Sequence, residues 1–413
     1  MSIERLVKPE EVGLSSARLD RIGDHLQRYI DAGKLAGTLM LVARRGRIAY
    51  LEPRGHLEIE KRRPLAPDSM FRIYSMTKPI VSVGLMMLWE QGRFQLDDPV
   101  SKFIPSWKDQ RVFVGGNHPN WKTAPVERPM NVRDLLSHQS GLTYGFMERT
   151  NVDAAYRTLR VADRTRDGYA ARDMVEELAT LPLEFSPGTR WNYSVSTDVC
   201  GHLVELISGQ RLDAYLEEHV LQPLGMTDTS FVITGDRMKR FAANYQRQRD
   251  DRLTLVDDPA RSVYRECVFF SGGGGLVSTA HDYFRFASMM LNNGELDGIR
   301  LLGRKTVELM TMNHLPDGQD LTNLALPGMF TETGYYGVGF GLGFSVMQSP
   351  ARAMIAGTPG EFAWGGAAGT AFWIDPGEQM IVVFMTQIMQ MGLPSPYPLR
   401  RELRTLTYAS VIE

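Results

Sequence analysis

The sequence predicts an α/β (α+β) fold, an antiparallel sheet flanked by helices, with an all-helical domain inserted in its middle. Three observations carry this. Two apolar stretches joined by a tight turn stand between an amphipathic helix and an apolar one, the pattern of helices laid on an antiparallel sheet. Across residues 105–266 the apolar spacing is mostly helical, with long polar loops and few strand signals. Strand-and-helix character then resumes near Gly272. The predicted units are therefore residues 1–104 with 267–413, one discontinuous α/β domain, and residues 105–266 inserted into it.

Each element has its own signal. Leu19, Ile22, Leu26 and Ile30 fall three or four apart, and Gly33 ends that helix. Residues 37–43 read as a buried strand, Arg44-Arg45-Gly46-Arg47 as the turn, and 48–51 as the returning strand. Phe71-Arg72-Ile73-Tyr74-Ser75-Met76-Thr77-Lys78-Pro79-Ile80 comes next and holds the only Ser-x-x-Lys in 413 residues. A strongly apolar helix follows, with Ile80, Val83, Leu85, Met86, Leu88 and Trp89 at helical spacing and Gln91-Gly92 closing it.

Ser75 then opens the first turn and Lys78 shares its face, so the amine can reach the hydroxyl. The free N–H groups of a helix start favour negative charge developing there. Such pairs commonly lie on solvated helix faces. On an apolar helix, however, an idle lysine costs free energy unless it is paired. A serine hydroxyl is a poor nucleophile until a neighbouring base takes its proton.

In the middle region, residues 132–137 start a short helix that His138-Gln139-Ser140-Gly141 ends. Met174, Val175, Leu178 and Leu181 mark a second helix. Val195, Val199, Leu203 and Leu206 mark a third that stops at Gly209, and residues 212–221 a fourth that breaks at Pro223. Thr279-Ala280-His281-Asp282 opens a further helix running to Gly294. Strands are expected at 341–347, 368–374 and 380–385, and a terminal helix near 399–408.

Composition narrows the function. Hydrophobic content of 43%, charged content of 23% and a net charge of −2 are those of an ordinary globular protein, and point to neither nucleic acid nor an anionic membrane. Met1-Ser2-Ile3-Glu4-Arg5 lacks the apolar core of a signal peptide, and no run of about 18 apolar residues exists. Cys200 and Cys267 read as buried thiols of a reducing cytoplasm, with export after a removed leader left open.

Two further stretches are candidates for the site. Tyr193 lies in Pro187-Gly188-Thr189-Arg190-Trp191-Asn192-Tyr193-Ser194, a loop held by a Pro-Gly turn just before a helix; its plain reading is a packed aromatic. In Phe362-Ala363-Trp364-Gly365-Gly366-Ala367-Ala368-Gly369-Thr370 glycines interrupt an apolar strand, which makes either a bulge or a place where a ligand meets backbone. The rivals are weaker. There is no Gly-x-Ser-x-Gly elbow. His138-Gln139-Ser140 reads as a helix end and turn. His202-x-x-Glu205 has metal-ligand spacing without a second cluster, and Gly272 to Gly275 lacks the Gly-Lys-Ser/Thr of a phosphate loop, so a tight chain reversal fits it better.

Together, Ser75-Met76-Thr77-Lys78, Tyr193-Ser194-Val195 and Trp364-Gly365-Gly366 resemble, in order and spacing, the three boxes of class C β-lactamases and penicillin-binding proteins. The stretches at 135–142, 185–188, 223–226 and 273–276 resemble the same superfamily, and the likeness spans roughly residues 10–390. It implies the β-lactamase/transpeptidase-like fold, with Ser75 as nucleophile and Lys78 and Tyr193 as coupled activators. It also implies an oxyanion hole from the backbone N–H groups of Ser75 and Ala367, with Trp364, Gly365 and Gly366 binding substrate.

The family's second box is typically Tyr-x-Asn and its third Lys-Thr-Gly, whereas Val195 and Trp364 stand here. Losing that cation removes a contact to a substrate carboxylate worth about 1.5–3 kcal/mol. The Trp-Gly-Gly form is similar to family VIII carboxylesterases. The implied function is a serine carboxylesterase acting on short-chain or aryl esters through an acyl-enzyme, with no metal or cofactor. Tyr74, Trp191, Tyr335, Tyr336 and Trp364 are expected to wall an apolar pocket. A β-lactamase, a D-amino-acid peptidase, an acyltransferase and a non-catalytic ligand-binding relative remain alternatives.

Overall fold

The computed structural model describes residues 6–326, 336–390 and 397–413. An eight-stranded sheet forms its centre, in the order Val338–Phe340, Ser345–Met347, Phe362–Gly365, Ala371–Asp375, Met380–Thr386, Gly37–Arg44, Arg47–Glu58, Arg63–Pro64. Every neighbouring pair in it is antiparallel. The central strands Met380–Thr386 and Gly37–Arg44 are buried throughout and mostly apolar because helices cover both faces of the sheet. Leu39, Leu41, Ile381, Val383 and Met385 face the large core beneath the helices Thr77–Glu90 and Ala280–Leu291. Met40, Val42, Met380, Val382 and Phe384 turn the other way, onto Leu19, Ile22 and Leu26 of Ser16–Asp31 and Leu399 and Leu403 of Leu399–Tyr408.

The helix Thr77–Glu90 is buried on nearly every side, from Thr77 to Met86 and again at Leu88. It packs against Ser196–Ser208, the helix that follows Tyr193. Gly84 and Gly201 let a further helix, Leu212–Leu216, pack closely against these two. A Cβ at Gly84 would stand 2.9 Å from Leu216 Cδ2, and one at Gly201 2.8 Å from Leu212 Cδ2.

Several elements differ from the sequence-based expectation. Residues 105–266 contribute no strand to the large sheet, yet they are not all helical. A hairpin pairs Arg111–Asn117 with Asn120–Pro125, and Asn244–Arg247 pairs with Leu253–Asp257 and, in parallel, with Ile388–Met389. These strands are largely half-buried or exposed, so no apolar alternation marks them.

Residues 341–347 do not form one strand. They close the hairpin between Val338–Phe340 and Ser345–Met347, and Gly343, at φ +97°, faces Ser82 where a Cβ would not fit. Ala368 to Thr370 belong to a turn before the strand Ala371–Asp375, and the returning strand near Ile48 continues to Glu58. Leu206 is exposed while its neighbour Ile207 faces the core. Both cysteines are free thiols, Cys267 half-buried rather than buried. No helix among the described residues is long and apolar enough to cross a membrane.

Candidate active site

Ser75 sits in a 3-10 turn, Tyr74–Met76, that leads directly into the helix Thr77–Glu90. Its approach is fixed from below. Phe71–Arg72 pairs with Val277–Ser278, and the Ile73 N–H donates to Leu276 O at 3.1 Å. The Leu276 N–H donates to Thr77 Oγ1 at 3.1 Å, and the Tyr283 hydroxyl to Met76 O at 3.0 Å. Tyr74 itself stands at φ +42°, in the left-handed region that bulky residues avoid, a strain of about 1–3 kcal/mol. Its hydroxyl accepts from Asn244 Nδ2 at 3.0 Å. The residue before Ser75 is thus held in a conformation it would not choose alone.

Lys78 is 1% exposed and lies one turn along the same face. Its Nζ donates to Ser75 Oγ at 3.3 Å and to the Gly273 carbonyl at 2.6 Å. The ammonium also faces the rings of Tyr193, 4.5 Å from the centroid, and Tyr144, at 5.4 Å. Among the described residues it forms no ion pair with a carboxylate. Residues 272–275 make the tight reversal read from the sequence, with Gly275 N–H donating to Ser271 O at 2.9 Å. They supply backbone to the lysine, not a phosphate cradle.

Tyr193, 1% exposed, precedes the helix Ser196–Ser208 and meets the end of the strand Phe362–Gly365. Trp364 Nε1 donates to the Tyr193 hydroxyl at 3.3 Å, with the two rings 5.2 Å apart. Trp364 is therefore tied to Tyr193 as well as presenting a ring surface, a link the sequence did not reveal. Gly365 pairs with Ala371, and Gly366 begins the turn that carries Ala367. A Cβ on Gly366 would stand 2.4 Å from Ile73 O, so only glycine lets this turn press on the loop that delivers Ser75. Arg400 Nη2 donates to Gly366 O at 2.9 Å and Thr370 O at 3.0 Å, bracing the turn from the terminal helix. Among the described residues the Ala367 N–H has no acceptor.

The structure thus brings Ser75, Lys78, Tyr193, Trp364, Gly365, Gly366 and Ala367 to one place. The expected aromatic wall is partly different. Trp191 is fully buried behind Tyr193, and Tyr336 is exposed, while Tyr335 lies outside the described residues. Tyr144 and Phe146, stacked at 4.6 Å, and Phe340, edge-on to Trp364 at 5.2 Å, take those places. Val195 is buried, so it offers no group where the family's asparagine would stand.

His138 packs on Tyr193 with ring centroids 4.9 Å apart, and its Nδ1 lies 3.2 Å from Ser194 Oγ. Burial, then the nearby Lys78, holds its imidazole well below the usual histidine range, so it is neutral. Burial, then Asp198 and Tyr193, holds the Tyr144 hydroxyl well above its ordinary range. His202 Nδ1 lies 3.0 Å from Glu205 Oε2, an ordinary side-chain pair. No group of three or more His, Cys, Asp or Glu among the described residues is placed to hold a metal.

Comparison with known proteins identifies the family and the fold. The beta-lactamase profile matches residues 22–405. Esterase EstB of Burkholderia gladioli is 30% identical over 416 residues, covering 95% of each chain. Among solved structures, EstCE1, a hydrolase with promiscuous acyltransferase activity, superposes with a TM-score of 0.79 at 25% identity, over 95% of this chain and 99% of that one. Simvastatin synthase (LovD) from Aspergillus terreus shares the fold, at a TM-score of 0.78 and 22% identity, over 95% of this chain and 98% of its own. With a profile match over nearly its whole length, this chain belongs to the beta-lactamase family.

Proposed function

We propose that the protein is a serine carboxylesterase that hydrolyses short-chain or aryl esters through an acyl-enzyme on Ser75, with Lys78 and Tyr193 as its coupled activators. The coarser statement stands on its family and its likeness to EstB and EstCE1: it is a serine hydrolase with ester-hydrolysing activity. One observation carries the finer reading. Lys78 is buried with no carboxylate at ion-pair distance among the described residues, and the one side chain there that its ammonium donates to is Ser75. A lysine kept there for stability alone would be poorly chosen, because burying an unpaired ammonium is costly.

The geometry supports the following steps. Ser75 Oγ attacks the ester carbonyl while its proton passes to the Lys78–Tyr193 pair. The backbone N–H groups of Ser75 and Ala367 receive the oxyanion, each worth about 3–4 kcal/mol to the transition state. The pair returns the proton to the departing alcohol, leaving an ester on Ser75. Water then attacks that ester with the same pair as base, and the acid leaves. Lysine and tyrosine side chains ordinarily titrate near 10.4 and 10, so work near neutrality asks about 4 kcal/mol from the site. The proton then belongs to the pair rather than to either residue.

Trp364 offers a neutral indole where a lactamase offers a cation, which suits esters that carry no carboxylate. EstCE1's promiscuous acyltransferase activity favours a second fate for the same acyl-enzyme, transfer to an alcohol acceptor. Ser75→Ala should abolish turnover of p-nitrophenyl esters with the fold intact, and a fluorophosphonate should label the wild type at Ser75 alone. Activity above a tenth of wild type in Ser75→Ala, or labelling at Ser140, would overturn the assignment. Nitrocefin hydrolysis rivalling the best ester would favour a β-lactamase instead.

A further inference from the structure

We infer that Asp198 is a positioning residue for the Ser75–Lys78 pair: it grips the turn at residues 272–275 so that Gly273 presents its carbonyl to the lysine, and it acts as a carboxylate neighbour to the ammonium. Asp198 is buried in the first turn of Ser196–Ser208. Its Oδ1 accepts from the Gly273 N–H at 2.9 Å and from the Ser271 hydroxyl at 2.5 Å. The same residue, Gly273, accepts from Lys78 Nζ at 2.6 Å through its carbonyl. One residue, through its own N–H and C=O, therefore links carboxylate to ammonium. The inference rests on the catalytic reading above and adds to it the group that sets where the lysine points.

The plain alternative is that an acidic residue in a first turn merely caps its helix. The contacts argue otherwise. Both of the hydrogen bonds that Asp198 makes among the described residues go to the turn, none to the N–H groups of its own helix. The turn is shaped to receive it. A Cβ on Gly273 would stand 2.3 Å from Asp198 Oδ2 and 2.9 Å from the Tyr144 hydroxyl, and one on Gly272 2.5 Å from Thr197 O. None of these glycines has a positive φ, so they are needed for close approach and not for turn geometry.

Lys78 has few other fixed contacts: Ser75 Oγ and the ring faces of Tyr193 and Tyr144. The charged and titratable groups around the pair are His138, Tyr193 and Tyr144 beside Lys78, and Arg164, Tyr144 and Cys200 beside Asp198. Burial raises the Asp198 carboxyl, and Lys78 is the largest influence holding it down.

Asp198→Asn tests this, since the amide oxygen can still accept from Gly273 and Ser271 while the charge is gone. Removing a negative neighbour lets the ammonium give up its proton more readily. The acid limb of the kcat/KM–pH profile on p-nitrophenyl butyrate should move down by about half a pH unit or more. Asp198→Ala, which removes the grip on the turn as well as the charge, should lower kcat about tenfold to a hundredfold with KM little changed, as expected for a mispositioned catalytic group. Ser271→Ala, which removes the hydroxyl that steadies the carboxylate, should move the limb the same way by less. It serves as the test if Asp198→Asn does not fold.

An acid limb superimposable on wild type in the folded variant would overturn the inference, whatever happens to kcat. Fluorophosphonate labelling keeps the two claims apart. Ser75 labelled in Asp198→Asn with an unmoved limb sinks only the role of Asp198, whereas wild-type labelling away from Ser75 sinks the catalytic reading itself.

Discussion

Gly366→Ala perturbs the site through a single atom. The new Cβ would lie 2.2 Å from Thr370 Oγ1 and 2.4 Å from Ile73 O. A threonine side chain can turn aside, but the peptide oxygen moves only with its backbone. That contact falls roughly 0.6 Å short of the closest approach a Cβ tolerates, and Ile73 is two residues before Ser75. Relief must displace either the Ser75 turn or the turn bearing Ala367, which together form the proposed oxyanion hole. A misplacement near 1 Å costs about 100-fold, and losing one oxyanion donor costs about 2.7–4 kcal/mol.

We therefore expect kcat to fall by about 30- to 300-fold, while overpacking removes about 1–3 kcal/mol of stability. The assay is p-nitrophenyl butyrate turnover per active site, the sites being counted by end-point fluorophosphonate titration and the fold checked by thermal melting. Gly360→Ala is the control. It has φ +92° and nothing within 4 Å of the added atom, so it should cost about 1–2 kcal/mol of stability and leave kcat alone. A kcat in Gly366→Ala within threefold of wild type would refute the reasoning.

Three more outcomes are expected. Lys78→Ala and Tyr193→Phe should each lower kcat by a large factor, and the double variant scarcely more, as for residues that act as a unit; losses that multiply in a double-mutant cycle would mean independent roles. Trp364→Phe removes the donor to the Tyr193 hydroxyl and should lower kcat/KM for esters by about 2- to 12-fold, the worth of one hydrogen bond, while Trp364→Lys should weaken ester turnover and raise nitrocefin hydrolysis only modestly, since Val195 still offers no amide-binding group. Burial pushes the Asp282 carboxyl up to about 6. A carboxyl raised above its ordinary value of about 3.9 contributes stability below that pH and loses it as pH rises through about 6, so the melting temperature of Asp282→Asn relative to wild type should climb between pH 4 and 7; a difference that stays flat with pH would contradict this.

What the sequence determined by itself is whatever depends on neighbours a few residues away. Ser75 and Lys78 share a face because three residues make nearly one turn, and the apolar run after them can only be an interior helix. Leu399–Tyr408 and the central strands are legible for the same reason, since their periodicity is carried within each segment. The strands at 111–125 and 244–257 escaped because they are paired at the surface, where no apolar alternation is required.

Only the tertiary structure decided what surrounds the serine. The carbonyl that accepts a hydrogen bond from the Lys78 ammonium is 195 residues from it, and the indole that donates to the Tyr193 hydroxyl is 171 residues from that tyrosine. Gly273 reads locally as a turn glycine and Asp198 as a first-turn acid. Their meaning comes from a contact between two segments that nothing in either one encodes. Short-range spacing is written in the chain, but which backbone groups face a buried ammonium depends on how the sheet and the helix after Tyr193 are brought together, a property of the packed whole.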